Sequence, residues 1–255
     1  MQSTLHWEDI DANLQHFTNL LHQLREPVDV IVLPEMFSTG FSMNTSIAET
    51  TTGKSMQWLK EAAAKHQAVV CGSIMTNIGD AFVNRFVWMR EDGTHEHYDK
   101  RHCFRMANEH QHYSGGNEKR IVACKGFNLA LMVCYDLRFP VWSRNRYRDG
   151  RFDYDVLLYT ANWPERRSHA WKSLLPARAI ENLSYVIGVN RVGTDGKDVT
   201  YSGDTAAYTM LGEKITHLES HVEGIEIVAL NKQSLDHYRI QFPAYLDADI
   251  FEIST

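Results

Sequence analysis

Aliphatic, β-branched runs alternate along the chain with stretches whose apolar positions recur at three- and four-residue spacing, the pattern of sheets covered by helices. Residues 28–33, Val-Asp-Val-Ile-Val-Leu, read as a buried strand, and residues 69–74 as a second. Between them residues 54–67 predict a helix, with Met56, Leu59 and Ala63 on its apolar face and Trp58 and Ala62 beside them. The rhythm then changes. Residues 83–89, a turn at Glu91-Asp92-Gly93 and residues 94–98 predict a hairpin inside the alternation.

Buried strands follow at 128–134, 155–160 and 185–190, with a helix over 168–182 before the last of them. Trp171, Leu174, Leu175 and Ala179 form that helix's stripe, suited to cover a sheet or meet a second subunit. Pro176 lacks a backbone donor and is expected to kink or divide it near Ser173. A second hairpin is expected at 206–210 and 214–217 around Leu211-Gly212-Glu213, and a closing helix at 234–241. Hairpins mixed with crossovers imply mixed sheets between helices, an α/β chain and not a purely parallel doubly wound one. With no repeat and no Pro/Gly/Ser linker, residues 1–255 read as one domain.

Composition narrows the function. The formal net charge is −6 and the basic residues are scattered, so the clustered Lys and Arg of a nucleic-acid binder are missing. The longest apolar run, residues 129–135, is far short of the roughly 20 residues of a membrane-spanning helix. Glu8, Asp9 and Asp11 near the start, without an apolar run, fit no leader, and the expected compartment is the cytoplasm. Cys71, Cys103, Cys124 and Cys134 contain no C-x-x-C pair and read as free thiols. His95, His97, His102, His110 and His112 match no zinc-binding spacing, so no metal is expected.

Three polar residues stand just past predicted strands: Glu35, Lys100 and Cys134. Strand ends are where α/β folds assemble sites. Taken singly, Glu35 also reads as a cap, Lys100 as a solvated cation and Cys134 as a small buried hydrophobe. Together, a carboxylate, a cation and a thiol are what hydrolysis of an unreactive carbon–nitrogen bond needs. A free thiol is only about 3% thiolate at pH 7, so Glu35 is the candidate base. Lys100 and the backbone N–H of Tyr135 are candidate donors to the oxyanion.

The stretches Leu33-Pro34-Glu35-Met36-Phe37, Tyr98-Asp99-Lys100-Arg101-His102 and Val133-Cys134-Tyr135-Asp136-Leu137-Arg138-Phe139-Pro140 resemble the three signatures of the nitrilase superfamily of carbon–nitrogen hydrolases. Ala107 to Tyr113, Ala161-Asn162-Trp163-Pro164 and Arg178-Ala179-Ile180-Glu181-Asn182 are similar to its omega-amidase branch, which hydrolyses the terminal amide of 2-oxo acid amides. The resemblance implies an αββα four-layer sandwich, paired in homodimers, and a triad of Glu35, Lys100 and Cys134. It further implies Glu109 as a second carboxylate, a small-molecule amide as substrate, and no metal or organic cofactor. Nitriles and N-carbamoyl amino acids are alternative substrates for the same triad, and a metabolite-binding scaffold is the non-catalytic alternative.

Arg138 suits a bidentate grip on the substrate carboxylate, or else pairs with Asp136. Trp163 and Phe139 are candidate pocket walls, with ordinary core as the alternative. Tyr113, on a loop over 105–117 expected to rim the pocket, is a candidate substrate contact or a solvated residue. Family members open with a full strand before the segment that residues 2–7 resemble, whereas this chain starts in its middle, so a shortened central strand, or a start internal to the reading frame, is expected.

Overall fold

The computed structural model describes residues 1–253. Its first sheet has four strands in the order β1 (Val30–Val32), β2 (Val69–Asn77), β3 (Phe82–Met89) and β4 (His95–Asp99). β1 runs parallel to β2, and β2, β3 and β4 form an antiparallel meander. The chain then lays down β5 (Ile121–Cys124), β6 (Phe127–Val133), the short pair β7 (Tyr147–Arg148) and β8 (Arg151–Phe152), β9 (Val156–Ala161) and β10 (Tyr185–Asn190). A second short pair, β11 (Val192–Thr194) and β12 (Thr200–Ser202), precedes β13 (Ala206–Tyr208). The second sheet is ordered β13-β10-β9-β6-β5, parallel at its centre and antiparallel at both edges.

Helix α1 (Ile10–Leu21) and helix α2 (Lys54–His66) cover the first sheet. α1 adds to the predicted elements: Asp9 accepts from the Ala12 N–H at 3.0 Å as its N-cap, and Leu14, Phe17, Leu20 and Leu21 are its buried face. α3 (Glu109–His112) and α4 (Pro140–Ser143) are single turns, α5 (Ser168–Asn182) covers the second sheet, and α6 (Lys232–Gln241) follows. β2 shows how the layers form: Val70 and Ile74 pack toward α1 and α2, while Val69 and Cys71 join the core between the sheets. The expected four layers, helices, sheet, sheet and helices, are present.

Several boundaries differ from the pattern reading. β1 keeps only three of the expected six residues, because it has a ladder partner on one side alone. α5 is not divided by Pro176. The proline removes one donor, whereas Trp171, Leu175 and Ala179 hold the helix so close to β10 that a Cβ on Gly188 would lie 2.7 Å from Trp171 and Leu175. The second hairpin turns where expected, but its returning arm is a single bridge, Tyr208 to Lys214.

Residues 2–7 likewise form no strand; Gln2 makes one antiparallel bridge to Gly224, and the Met1 nitrogen donates to the Val32 carbonyl at 2.8 Å. β1 therefore edges an apolar groove lined by Leu24, Val30, Phe127, Ile225 and Val228. No helix among the described residues is long and apolar enough to cross a membrane.

Candidate active site

The ends of strands from both sheets meet at one buried cluster of charge. Glu35 follows β1 and is fully buried. Its Oε1 accepts from Lys100 Nζ at 2.9 Å and from Asn84 Nδ2 at 2.7 Å, and its Oε2 from the Asn162 N–H at 2.8 Å. Lys100 stands just past β4, its backbone N–H bonded to the Asn84 carbonyl at 2.9 Å. Its ammonium also reaches both oxygens of Glu109 at 2.9 Å and lies 5.1 Å from the Phe41 ring centroid. Glu109 is buried at the first turn of α3 and accepts as well from the Phe104 N–H.

The ionisation of this cluster follows from its surroundings. Burial works against the Lys100 ammonium, but Glu109 and Glu35 outweigh it and hold its pKa well above the usual lysine value. Burial raises Glu109 above the ordinary carboxylate value, opposed by Lys100 and reinforced by Glu35. Burial and the Glu35 carboxylate also push the Cys134 thiol well up, with Lys100 pulling the other way. The resting sulfur is thus a thiol, less ionised than a free cysteine.

Cys134 begins a 3-10 turn directly after β6, with φ of +45°, a left-handed conformation costly for a side chain with a Cβ. Asp136 holds the turn. Its Oδ2 accepts from the Val133 N–H at 3.0 Å and the Tyr98 hydroxyl at 2.7 Å, while Oδ1 accepts from the His102 N–H at 3.0 Å and meets His102 Nδ1 at 2.7 Å. The segment bearing the sulfur is thereby tied to the segment bearing Lys100. Cys134 and Lys100 line one cavity, walled by Phe41, Tyr135, Trp163 and Tyr201. A thiol and a buried ammonium lining one cavity, with two buried carboxylates bonded to that ammonium behind it, can attack a carbonyl carbon, move a proton and hold an oxyanion.

The carbon–nitrogen hydrolase family model matches residues 1–240. The chain belongs to that family. It is 45% identical over 251 residues to omega-amidase YafV of Yersinia enterocolitica, covering 98% of this chain and 96% of the relative. It is 32% identical to the 2-oxoglutaramate amidase of Bacillus subtilis, over 86% of this chain and 84% of that protein. A crystal structure of a carbon–nitrogen hydrolase superfamily protein from Xanthomonas campestris superposes with a TM-score of 0.97 at 40% identity, covering 99% of this chain and 97% of the other.

Within this carbon–nitrogen hydrolase, the motif residues Glu35, Lys100, Glu109 and Cys134 come together, and Tyr135, Arg138 and Trp163 border the cavity. Arg138 does not pair with Asp136, which is occupied by Tyr98, His102 and Val133; its guanidinium lies 4.9 Å from the Trp163 ring centroid. Two expectations need correction. Phe139 is not a cavity wall: its ring turns back to stack on His102 at 3.7 Å, with Tyr135 edge-on at 5.1 Å. Tyr113 is neither a solvated rim residue nor a cavity wall, since it is buried against Met36 and Met75 and its hydroxyl donates to the Ser42 carbonyl at 2.7 Å.

Pattern reading missed the residues that steady the carboxylates. Asn84 sits in the middle of an apolar strand, and that break in the alternation was its signal. Asn162 follows β9 at the position where a strand end meets a site, and its side-chain amide also donates to the Glu35 carbonyl. Phe41 reaches the cavity from a loop, Arg166-Arg167 from a 3-10 turn and Tyr201 from β12, and the sequence there shows no such signal.

Proposed function

We propose that the protein is an amidase that hydrolyses the terminal amide of small 2-oxo acid amides, of the 2-oxoglutaramate and 2-oxosuccinamate class, with Glu35, Lys100 and Cys134 as its catalytic residues. The observation that carries this reading is the shared cavity of Cys134 and Lys100, with Glu35 bonded to that lysine beneath it. Because burial keeps the sulfur protonated, Glu35 takes the thiol proton as the sulfur attacks the amide carbon. The amide oxygen becomes an oxyanion that accepts from Lys100 and the Tyr135 N–H, each such donor being worth about 10²–10³ in rate. Collapse breaks the C–N bond, Glu35 returns the proton to the nitrogen, and ammonia leaves. Water, deprotonated by Glu35, then opens the thioester to the 2-oxo dicarboxylate and restores the thiol. Glu109 keeps Lys100 charged and aimed.

The test is ammonia release from 2-oxoglutaramate, set beside a nitrile and an N-carbamoyl amino acid of similar length. The expected kcat/KM for the oxo acid amide exceeds either by at least about tenfold; a preference for the nitrile or carbamoyl compound overturns the assignment.

A homodimer and a cytoplasmic location complete the proposal. The four cysteines are free, as suits a reducing compartment. On the outer side of α5, Ile180 and Leu211 are both exposed, and the Gly212 turn lies against Ile180. Sedimentation at micromolar concentration is expected to give twice the chain mass, and a strict monomer removes the dimer.

A further inference from the structure

The outer wall of the cavity is a cluster of guanidiniums. Arg138, Arg166 and Arg167 all border the space that Cys134 and Lys100 line. The nearby acids are engaged elsewhere: Glu165 faces His221 at 3.3 Å, Asp136 meets His102 at 2.7 Å, and Asp195 accepts from the Lys197 and Val199 N–H groups and the Tyr201 hydroxyl. The cations at this mouth are therefore uncompensated by the protein's own carboxylates.

Arg167 is held most firmly. Its carbonyl accepts from the Trp163 indole N–H at 2.8 Å, and the same indole carries the Arg138 guanidinium 4.9 Å from its ring centroid. One tryptophan thus anchors the Arg167 backbone and carries the Arg138 guanidinium. The Arg167 guanidinium lies 5.2 Å from the Phe104 ring centroid, and its Nη2 reaches only the Met106 sulfur, at 3.3 Å. Its Nη1 is buried without any acceptor. A buried guanidinium donor with no partner is costly, and an anionic ligand would supply the missing acceptor. Burial, Arg166 and Arg138 together lower the pKa of Arg167, the mark of a cation lacking an anion.

We propose that Arg167, acting with Arg138, binds the substrate carboxylate and selects α-oxo acid amides over α-amino acid amides. The inference rests on the amidase reading above. An oxo acid presents carboxylate and ketone oxygens, all acceptors, to the two guanidiniums. Glutamine or asparagine would instead bring an ammonium against them, a repulsion within a half-desolvated mouth.

Alkylation of Cys134, located by mass spectrometry, tests this without requiring turnover. In the unaltered protein anionic iodoacetate is expected to gain over neutral iodoacetamide, relative to the same pair acting on a free thiol. Arg167→Met should cut that rate ratio by about 10- to 100-fold, the worth of a charge-assisted hydrogen bond. Arg167→Lys, which keeps the charge and loses the fork, should fall between. Protection against iodoacetamide by 2-oxoglutarate should need at least about tenfold less ligand than protection by glutamate. An unchanged alkylation ratio in Arg167→Met, or equal protection by the two acids, overturns the proposal. Failure to turn over 2-oxoglutaramate would instead sink the amidase reading, while the alkylation ratio still judges the anion site.

Discussion

Replacing Cys134 with alanine is expected to lower ammonia release from 2-oxoglutaramate by about 10⁴-fold or more while leaving the fold intact, since nothing else in the cavity can form the acyl intermediate. The fold should survive because alanine needs the same left-handed backbone and the Asp136 bonds that hold the turn do not involve the sulfur. Urea unfolding should therefore change by no more than about 1 kcal/mol, the cost of losing one small buried atom. Mass spectrometry of the quenched reaction should show an acyl adduct on the unaltered protein and none on the variant. Turnover by Cys134→Ala within tenfold of the original would remove the thioester mechanism altogether.

Lys100→Met is expected to damage stability as much as chemistry. It removes the cation between two buried carboxylates and, in the proposed mechanism, an oxyanion donor in one step. Breaking a buried pair in this way costs about 3–5 kcal/mol, because the remaining charges are left uncompensated. The pH dependence has a definite sign. In the unaltered protein Lys100 has a folded pKa above its unfolded value near 10.5, so its contribution is full below that value and is lost as pH rises through the folded one.

In the variant no ammonium offsets burial, and Glu35 and Glu109 repel each other. Burial already raises Glu109, and losing Lys100 raises it further. A carboxyl whose pKa rises on folding favours the folded state most below its unfolded value near 4.5, and that advantage fades as pH climbs through the folded value. Lys100→Met should therefore lose stability relative to the unaltered protein as pH goes from 5 to 8, measured by urea midpoints. A deficit independent of pH would show that the two carboxylates do not share the site as described.

What the sequence disclosed follows physical lines. Glu35, Lys100 and Cys134 were legible because each interrupts a strand pattern at its end, and Glu109 through the family resemblance. β10 was found at its full extent because six residues packed between neighbours on both sides leave little choice of boundary. α1 escaped although Leu14, Phe17, Leu20 and Leu21 recur at helical spacing, because its face also contains Asn13, a buried polar residue whose amide bonds to His6 and Ser38 make sense only in three dimensions. Phe139 and Tyr113 were misplaced for a related reason: an aromatic residue beside a site is conspicuous, but the direction of its ring is set by partners remote in sequence, here His102 and Ser42. Arg166 and Arg167 carry no signal in the sequence pattern, and only the contacts with Trp163 and Phe104 show where the second of them lies.

The bonds of Glu35 carry one more consequence. This single side chain touches Asn84 and Lys100 of one sheet and Asn162 of the other. The proposed base, which follows β1, is thus held at the seam between the two sheets. Slippage of the sandwich would pull Glu35 away from Asn162 while leaving each sheet's own ladder intact, so activity is expected to fade on heating before the sheets themselves unravel.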